Sequence, residues 1–341
     1  LVIYRYNLAK AVPLEGTASY AEIAASSGLN EGLCRRFIRC AIGSNIFDED
    51  VATGRVKHTA CSRQLVTYPE LFDAVGFQLE DVAPAALKLP KVWDQHGQDV
   101  QEQAKSAFSF ENRSDLPIFG IYAAEPERGR RFGTAMSFYA KGDSWDLRHM
   151  LTAFDWKSSE FDRQETTVID VGGGNGQVSY FLAKQTSHVR FIVQDLPNVV
   201  EVARAHIPGQ LIGRVEFAAH NFFEPQVLRV GPPVNFLLRH VLHNWADEYC
   251  IQILNNLRPA LQPGSKVLIY EYVLEDGPVK DLSARFGFQA DMIMASLFNG
   301  QERRAKDFEN IVKAADSRFA FKGVRKGPGR TMSSVIEVEW G

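Results

Sequence analysis

Nine residues constrain this chain more than any others: Val168-Ile-Asp-Val-Gly-Gly-Gly-Asn-Gly176. A short apolar run that ends in four glycines within five positions reads as a strand feeding a tight turn. A helical pattern follows over Gly176–Lys184, with Val178, Phe181 and Leu182 on one face. Glycine is needed where a turn uses positive φ and where a ligand must approach the backbone closely. Strand, glycine turn and helix together predict the first unit of an open sheet that binds a nucleotide-like molecule at its carboxyl edge.

The residues that follow extend this unit. Val189–Val193, Val215–Phe217, Val234–Leu238 and Lys266–Tyr270 read as strands, and the helix after Asp247 carries Cys250, Ile251, Leu254 and Leu257 on one stripe. Phe319–Gly323 and Val335–Trp340 read as antiparallel edge strands. The predicted fold class is α/β, a Rossmann-like, mostly parallel seven-stranded sheet. Before about residue 160 the texture is helical. Ser19 and Glu22 form a capping-box pattern, Gly28 stops that helix, and Asn30 caps a second helix with Leu33, Phe37 and Ile38 on one face. Ile46-Phe47, an acidic turn around Gly54 and Val56-Lys-His-Thr complete a helix-turn-helix with a two-stranded wing. Pro117, Glu125-Pro-Glu-Arg-Gly-Arg and Lys141-Gly-Asp mark breaks in the helices that follow.

At 341 residues the chain exceeds the usual single domain. The expected division is a winged-helix-like dimerisation domain over 1–105 and a ligand-binding domain over 106–341, with a helical connector over 106–160. A winged helix suggests DNA, and Arg35, Arg36 and Arg39 lie on the second helix. Acidic residues nevertheless outnumber basic ones over 1–105, the wing tip is Asp48-Glu-Asp50, and the whole chain carries a net charge of -3. Phosphate binding needs the opposite sign, so nucleic acid is excluded as a partner. No apolar run approaches the ~20 residues of a membrane span, and a cytoplasmic protein is expected. Cys34, Cys40, Cys61 and Cys250 lack metal-ligand spacing and read as buried thiols, with no metal expected. The chain opens at Leu1 inside an apolar stretch without a Met, so residues are expected before it.

Several further positions carry the chemistry beyond the glycine turn. Asp170 sits inside the strand just before Gly172 and Gly174. A carboxylate there repels a pyrophosphate and suits a cationic, phosphate-free ligand such as S-adenosylmethionine (SAM) over NAD. Asp195, in Val193-Gln-Asp-Leu-Pro197 with Leu196 beside it, ends the second strand where a carboxylate reaches ribose hydroxyls. Phe222 can stack on adenine and Asn221 can hydrogen-bond its amino group. In Arg239-His-Val-Leu-His-Asn-Trp245 the general base is His243, which Glu271 and Glu302 can orient. Met136, Phe138, Tyr139 and Trp145 form either interdomain core or the wall of an aromatic substrate pocket, and Asn244 and Met292 are further substrate-side candidates.

These motifs resemble the plant- and fungal-type O-methyltransferases that use SAM. The resemblance spans nearly the whole chain and ends with Leu297-Phe-Asn-Gly-Gln-Glu-Arg303. It implies that Gly172, Gly174 and Asp195 hold SAM, with Phe222 beside the adenine and Arg239 near the cofactor. It further implies that His243 is the base flanked by Glu271 and Glu302, and that the protein is a homodimer acting on a small molecule. Two positions depart from the family pattern: Asn221 and Asn244 stand where Asp is usual. Loss of a negative charge at 244 lowers the expected pKa of His243. The expected reaction is methyl transfer to a phenol or enol of an aromatic or polyketide-type secondary metabolite. The alternative is a pericyclase or dehydratase of the same fold, in which SAM is not consumed.

Overall fold

The computed structural model describes residues 1–227, 232–278, 282–329 and 331–341. They form two compact units, Leu1–Leu87 with Ile118–Lys141, and Lys88–Pro117 with Gly142–Gly341. The division differs from a single cut at residue 105, and the reason is packing. Helix Pro126–Ala140 runs along helix Pro69–Phe77. Arg128 and Arg131 bind the buried Asp81, and Arg130 binds Asp73. Helix Ala107–Glu111 instead packs on helix Leu282–Phe298, which ties its segment to the second unit.

In the first unit the local sequence signals work as expected. Ser19 Oγ accepts the Glu22 N–H, the Glu22 carboxylate accepts the Ser19 N–H, and Gly28 at φ 74° ends helix Tyr20–Ser27. Asn30 caps helix Glu31–Gly43 by accepting from the Gly32 N–H. Strands β1 (Phe47–Asp50) and β2 (Arg55–His58) pair antiparallel, and Ala18 bridges to Val56. The inward stripe of the second helix differs from the predicted one. Cys34, Ile38 and Ala41 are buried with Ile23, Phe47 and Val56, while Leu33 and Phe37 face outward. The helical period offered two apolar stripes, and only packing could choose between them. The break expected at Glu125 falls between helix Ile118–Ala124 and helix Pro126–Ala140, and the residues after it begin the second helix. Pro126 occupies the first turn, where no N–H is needed, and Gly129 lets the helix approach the Tyr122 carbonyl, 3.0 Å from where a Cβ would sit.

The second unit is built on one large sheet. Its strands are β3 (Thr167–Val171), β4 (Arg190–Asp195), β5 (Val215–Ala219), β6 (Val234–Arg239), β7 (Lys266–Leu274), β8 (Arg303–Arg304), β9 (Phe319–Lys326) and β10 (Ser333–Trp340). The order across the sheet is β5-β4-β3-β6-β7-β10-β9, and the two-residue β8 lies beside the end of β7. Strands β3 to β7 run parallel, and β10 is antiparallel to both its neighbours. Thus β10, predicted as an edge strand, is interior. Its run from Ser333 to Val338 is buried throughout, and Glu337 is matched by Lys266 and Arg325. Alternate residues feed two cores. Ile169, Phe236, Leu238, Ile253, Leu254, Leu257 and Phe308 belong to one. Val168, Leu182, Phe191, Val193, Leu237 and Leu268 belong to the other. Each such side chain contributes about 1.5–3 kcal/mol on burial.

Of the four thiols, Cys34 and Cys250 are buried, whereas Cys40 and Cys61 are exposed. The expectation of buried thiols therefore holds for two of them. No helix among the described residues is long and apolar enough to cross a membrane.

Candidate active site

The carboxyl ends of β3, β4, β5 and β6 bring the expected cofactor-side residues to one edge of the sheet. Gly172, Gly174 and Gly176 take φ of 68°, 57° and 73°, the left-handed region that other residues reach at a cost. Gly173 is demanded by space. A Cβ there would lie 2.7 Å from both the Asp170 carboxyl carbon and Val193 Cγ1. The Gly172 and Gly173 N–H groups donate to the Gln194 carbonyl, and the Gly174 N–H donates to Asp195 Oδ2 at 2.9 Å. Nothing lies within 4 Å of a Cβ built at Gly174, so that side of the turn is open to a ligand.

Asp170 is buried beneath this turn, where its carboxylate accepts a 2.6 Å hydrogen bond from Ser179. Burial pushes its pKa up to about 6, with Ser179 and Arg239 opposing the rise and Asp195 adding to it. Its influence on a ligand is therefore through the turn it supports and through its field. Asp195 Oδ1 accepts from the Leu196 N–H, and Leu196 itself is exposed. The Asn221 side-chain carbonyl accepts from the Phe223 N–H. The Phe222 ring lies against the turn, 3.8 Å from the place of a Gly172 Cβ, and packs edge-on against Trp245. Arg239 is partly buried, with Nε unpaired. Burial lowers its pKa, and Tyr270, Asp170 and Glu271 oppose that shift.

His243, Glu271 and Glu302 come together as expected. His243 Nδ1 lies 2.9 Å from Glu302 Oε1 and 3.9 Å from Glu271 Oε2. The two carboxylates differ in what they hold. Glu271 Oε1 accepts from the Val241 and Leu242 N–H groups at 2.9 and 2.8 Å, so Glu271 fixes the backbone of the turn. Glu302 holds the imidazole directly. Burial lowers the His243 pKa, but the charges of Glu271 and Glu302 and the Glu302 hydrogen bond outweigh it and lift the pKa to about 9. The Asn at 244 was expected to lower this value; two buried carboxylates decide it instead. The Asn244 side chain donates to the His240 carbonyl at 3.3 Å. The ligand atoms of His243, Glu271 and Glu302 lie within 4.8 Å of one another, a donor set that a cation could also use.

Two residues to which the sequence pattern assigned no role hold this turn, and a third, His240, lies in it. Arg303, fully buried, donates to the Leu242 and Trp245 carbonyls and to Asp247. At Gly300 a Cβ would fall on the His243 carbonyl oxygen. His240, at φ 52°, packs edge-on against Trp145 with ring centroids 5.5 Å apart. The signal for Arg303 was available, since an arginine beside an apolar helix end needs carbonyl partners when buried. Met292 is exposed on helix Leu282–Phe298, whereas Trp145 joins Phe286 in an aromatic cluster with Tyr272. Met136 and Tyr139 belong to the first unit, where the Tyr139 hydroxyl accepts from Gln78.

Residues 93–318 match the model of the O-methyltransferase domain. This chain belongs to the O-methyltransferase family. The methyltransferase is 35% identical to a chlorophenol O-methyltransferase of Trichoderma longibrachiatum over 99% of this chain and 72% of the relative. It is 32% identical to a grayanic acid biosynthesis cluster O-methyltransferase of Cladonia grayi, over 99% of this chain and 70% of that protein. Its fold matches the crystal structure of OxaC with a TM-score of 0.82 at 21% identity, covering 99% of this chain and 83% of that one. A pericyclic reaction enzyme matches with a TM-score of 0.79 at 20% identity, covering 100% of this chain and 85% of that one.

Proposed function

We propose that this methyltransferase transfers a methyl group from SAM to a phenolic or enolic hydroxyl, with His243 as general base. The observation that carries this reading is the 2.9 Å pairing of His243 with Glu302 inside a buried, doubly acidic site. The residues at the sheet edge fit SAM. The open face at Gly174 admits a ligand against the backbone, Asp195 retains lone pairs for ribose hydroxyls, and the Phe222 ring offers a face beside the turn. Leu196, Asn221 and Arg239 complete the cofactor side, and Trp145, Asn244 and Met292 the substrate side of this unit. Met136 and Tyr139 are the first unit's candidates. When bound, SAM supplies an electrophilic methyl group that needs no metal activation.

The chain's own residues supply position and proton transfer. A phenol with a pKa of about 10 gives its proton to His243 Nε2, whose pKa of about 9 makes the transfer nearly thermoneutral. Glu302 stabilises the imidazolium that results, and Glu271 keeps the turn from moving. The chlorophenol relative supports a phenolic acceptor. The pericyclase reading has weaker support, because the base and both acids are in place. A homodimer and a small-molecule secondary metabolite as substrate are part of the same proposal.

The test is incubation with SAM and a panel of phenols, following the methyl ether and S-adenosylhomocysteine by mass spectrometry. Methylation of at least one phenol, lowered about 10²–10⁴-fold in kcat by His243→Ala, is the expected result. Tight SAM binding with no methylated product would overturn it, and undiminished activity of the variant would remove His243 from its role.

A further inference from the structure

His240 has a conformation that its surroundings must maintain. A non-glycine residue at φ 52° is uncommon, and backbone strain of this kind gathers at functional sites. Its ring is boxed in by Trp145 edge-on at 5.5 Å, Tyr270 stacked at 6.3 Å and His243 at 5.4 Å between centroids. Nε2 lies 3.1 Å from the hydroxyl of the buried Ser333. Nδ1 has no hydrogen-bond partner among the described residues, and it is not sealed from solvent. Burial first, then the charges of Arg239 and His243, hold the imidazole neutral. A neutral ring anchored through one nitrogen can donate or accept at the other, according to the orientation of the Ser333 hydroxyl.

We propose that His240 is a specificity-determining residue whose free Nδ1 hydrogen-bonds a second oxygen of the acceptor, next to the hydroxyl that faces His243. This deepens the phenol reading above and rests on it. The substrate class it selects is an aromatic ring with two neighbouring oxygens, such as a catechol or an ortho-hydroxy carbonyl compound. Trp145 and Phe286, 5.9 Å apart, supply an apolar wall beside it.

The test compares 4-chlorophenol with 4-chlorocatechol binding to the protein saturated with S-adenosylhomocysteine, by calorimetry. This readout does not depend on methyl transfer, so failure of the proposed reaction and failure of this role are distinguishable. His240→Gly removes the ring and is comfortable at positive φ, which guards against misfolding. Its expected effect is about ten-fold weaker catechol binding with phenol binding changed less than about two-fold. His240→Asn, which also tolerates this φ and keeps a polar end, is expected to restore part of the difference. Equal losses for both ligands, or no loss for either, would overturn the proposal.

Discussion

The glycine turn after β3 and the His243 turn after β6 stand at the ends of neighbouring parallel strands, yet they are made in different ways. The first takes its shape mainly from its own residues, with three glycines at positive φ and a fourth that leaves room for Asp170, and is tied to Gln194 and Asp195 at the end of the adjacent β4. The second contains no glycine between His240 and Trp245. It is held from outside by Glu271, Arg303, Gly300 and the Gln103 side chain, from 29 to 141 positions away. A glycine turn can therefore be set largely by its own residues and the adjacent strand, whereas a histidine flanked by two buried acids needs the finished tertiary structure.

Damage at the distant supports should accordingly reach catalysis without reaching the cofactor. Gly300→Ala forces the segment away from the His243 carbonyl. It is expected to lower kcat/KM about 10²–10³-fold while SAM affinity, by calorimetry, stays within about two-fold. Gly173→Ala is the converse, since its Cβ meets Asp170 and Val193. SAM should bind about 10–100-fold more weakly, with an unchanged pH midpoint for the base. Glu302→Gln tests the electrostatics. On the proposed mechanism free imidazole is needed, so kcat/KM of the wild type should rise with pH through a midpoint near 9. Neutralising Glu302 should move that midpoint down towards about 6.5 and cost about ten-fold at high pH. Asn244→Asp should shift kcat/KM least, by about two- to three-fold, because Glu271 and Glu302 already dominate the field.

The same contrast explains what could be read from the residues alone. The glycine turn, Asp195, both helix caps and the parallel strands depend on short-range patterns and were legible. His243 with Glu271 and Glu302 was legible as a set of candidates. The separation of their tasks was not, because backbone amides leave no trace in a side-chain motif. The choice of Cys34 and Ala41 beside Ile38, in place of Leu33 and Phe37, as the inward stripe, and the interior position of β10, depend on neighbours far along the chain. Apolar periodicity marks a face but does not say which partner covers it.

The position of β10 has a consequence for synthesis. A growing chain can form the parallel strands β3 to β7 as soon as they leave the ribosome, but β9 cannot join the sheet until Ser333–Trp340 has entered between it and β7. The flank of β7 therefore stays an open strand edge until Ser333–Trp340 arrives. During that interval the nascent chain is exposed to the aggregation that unpaired edges invite.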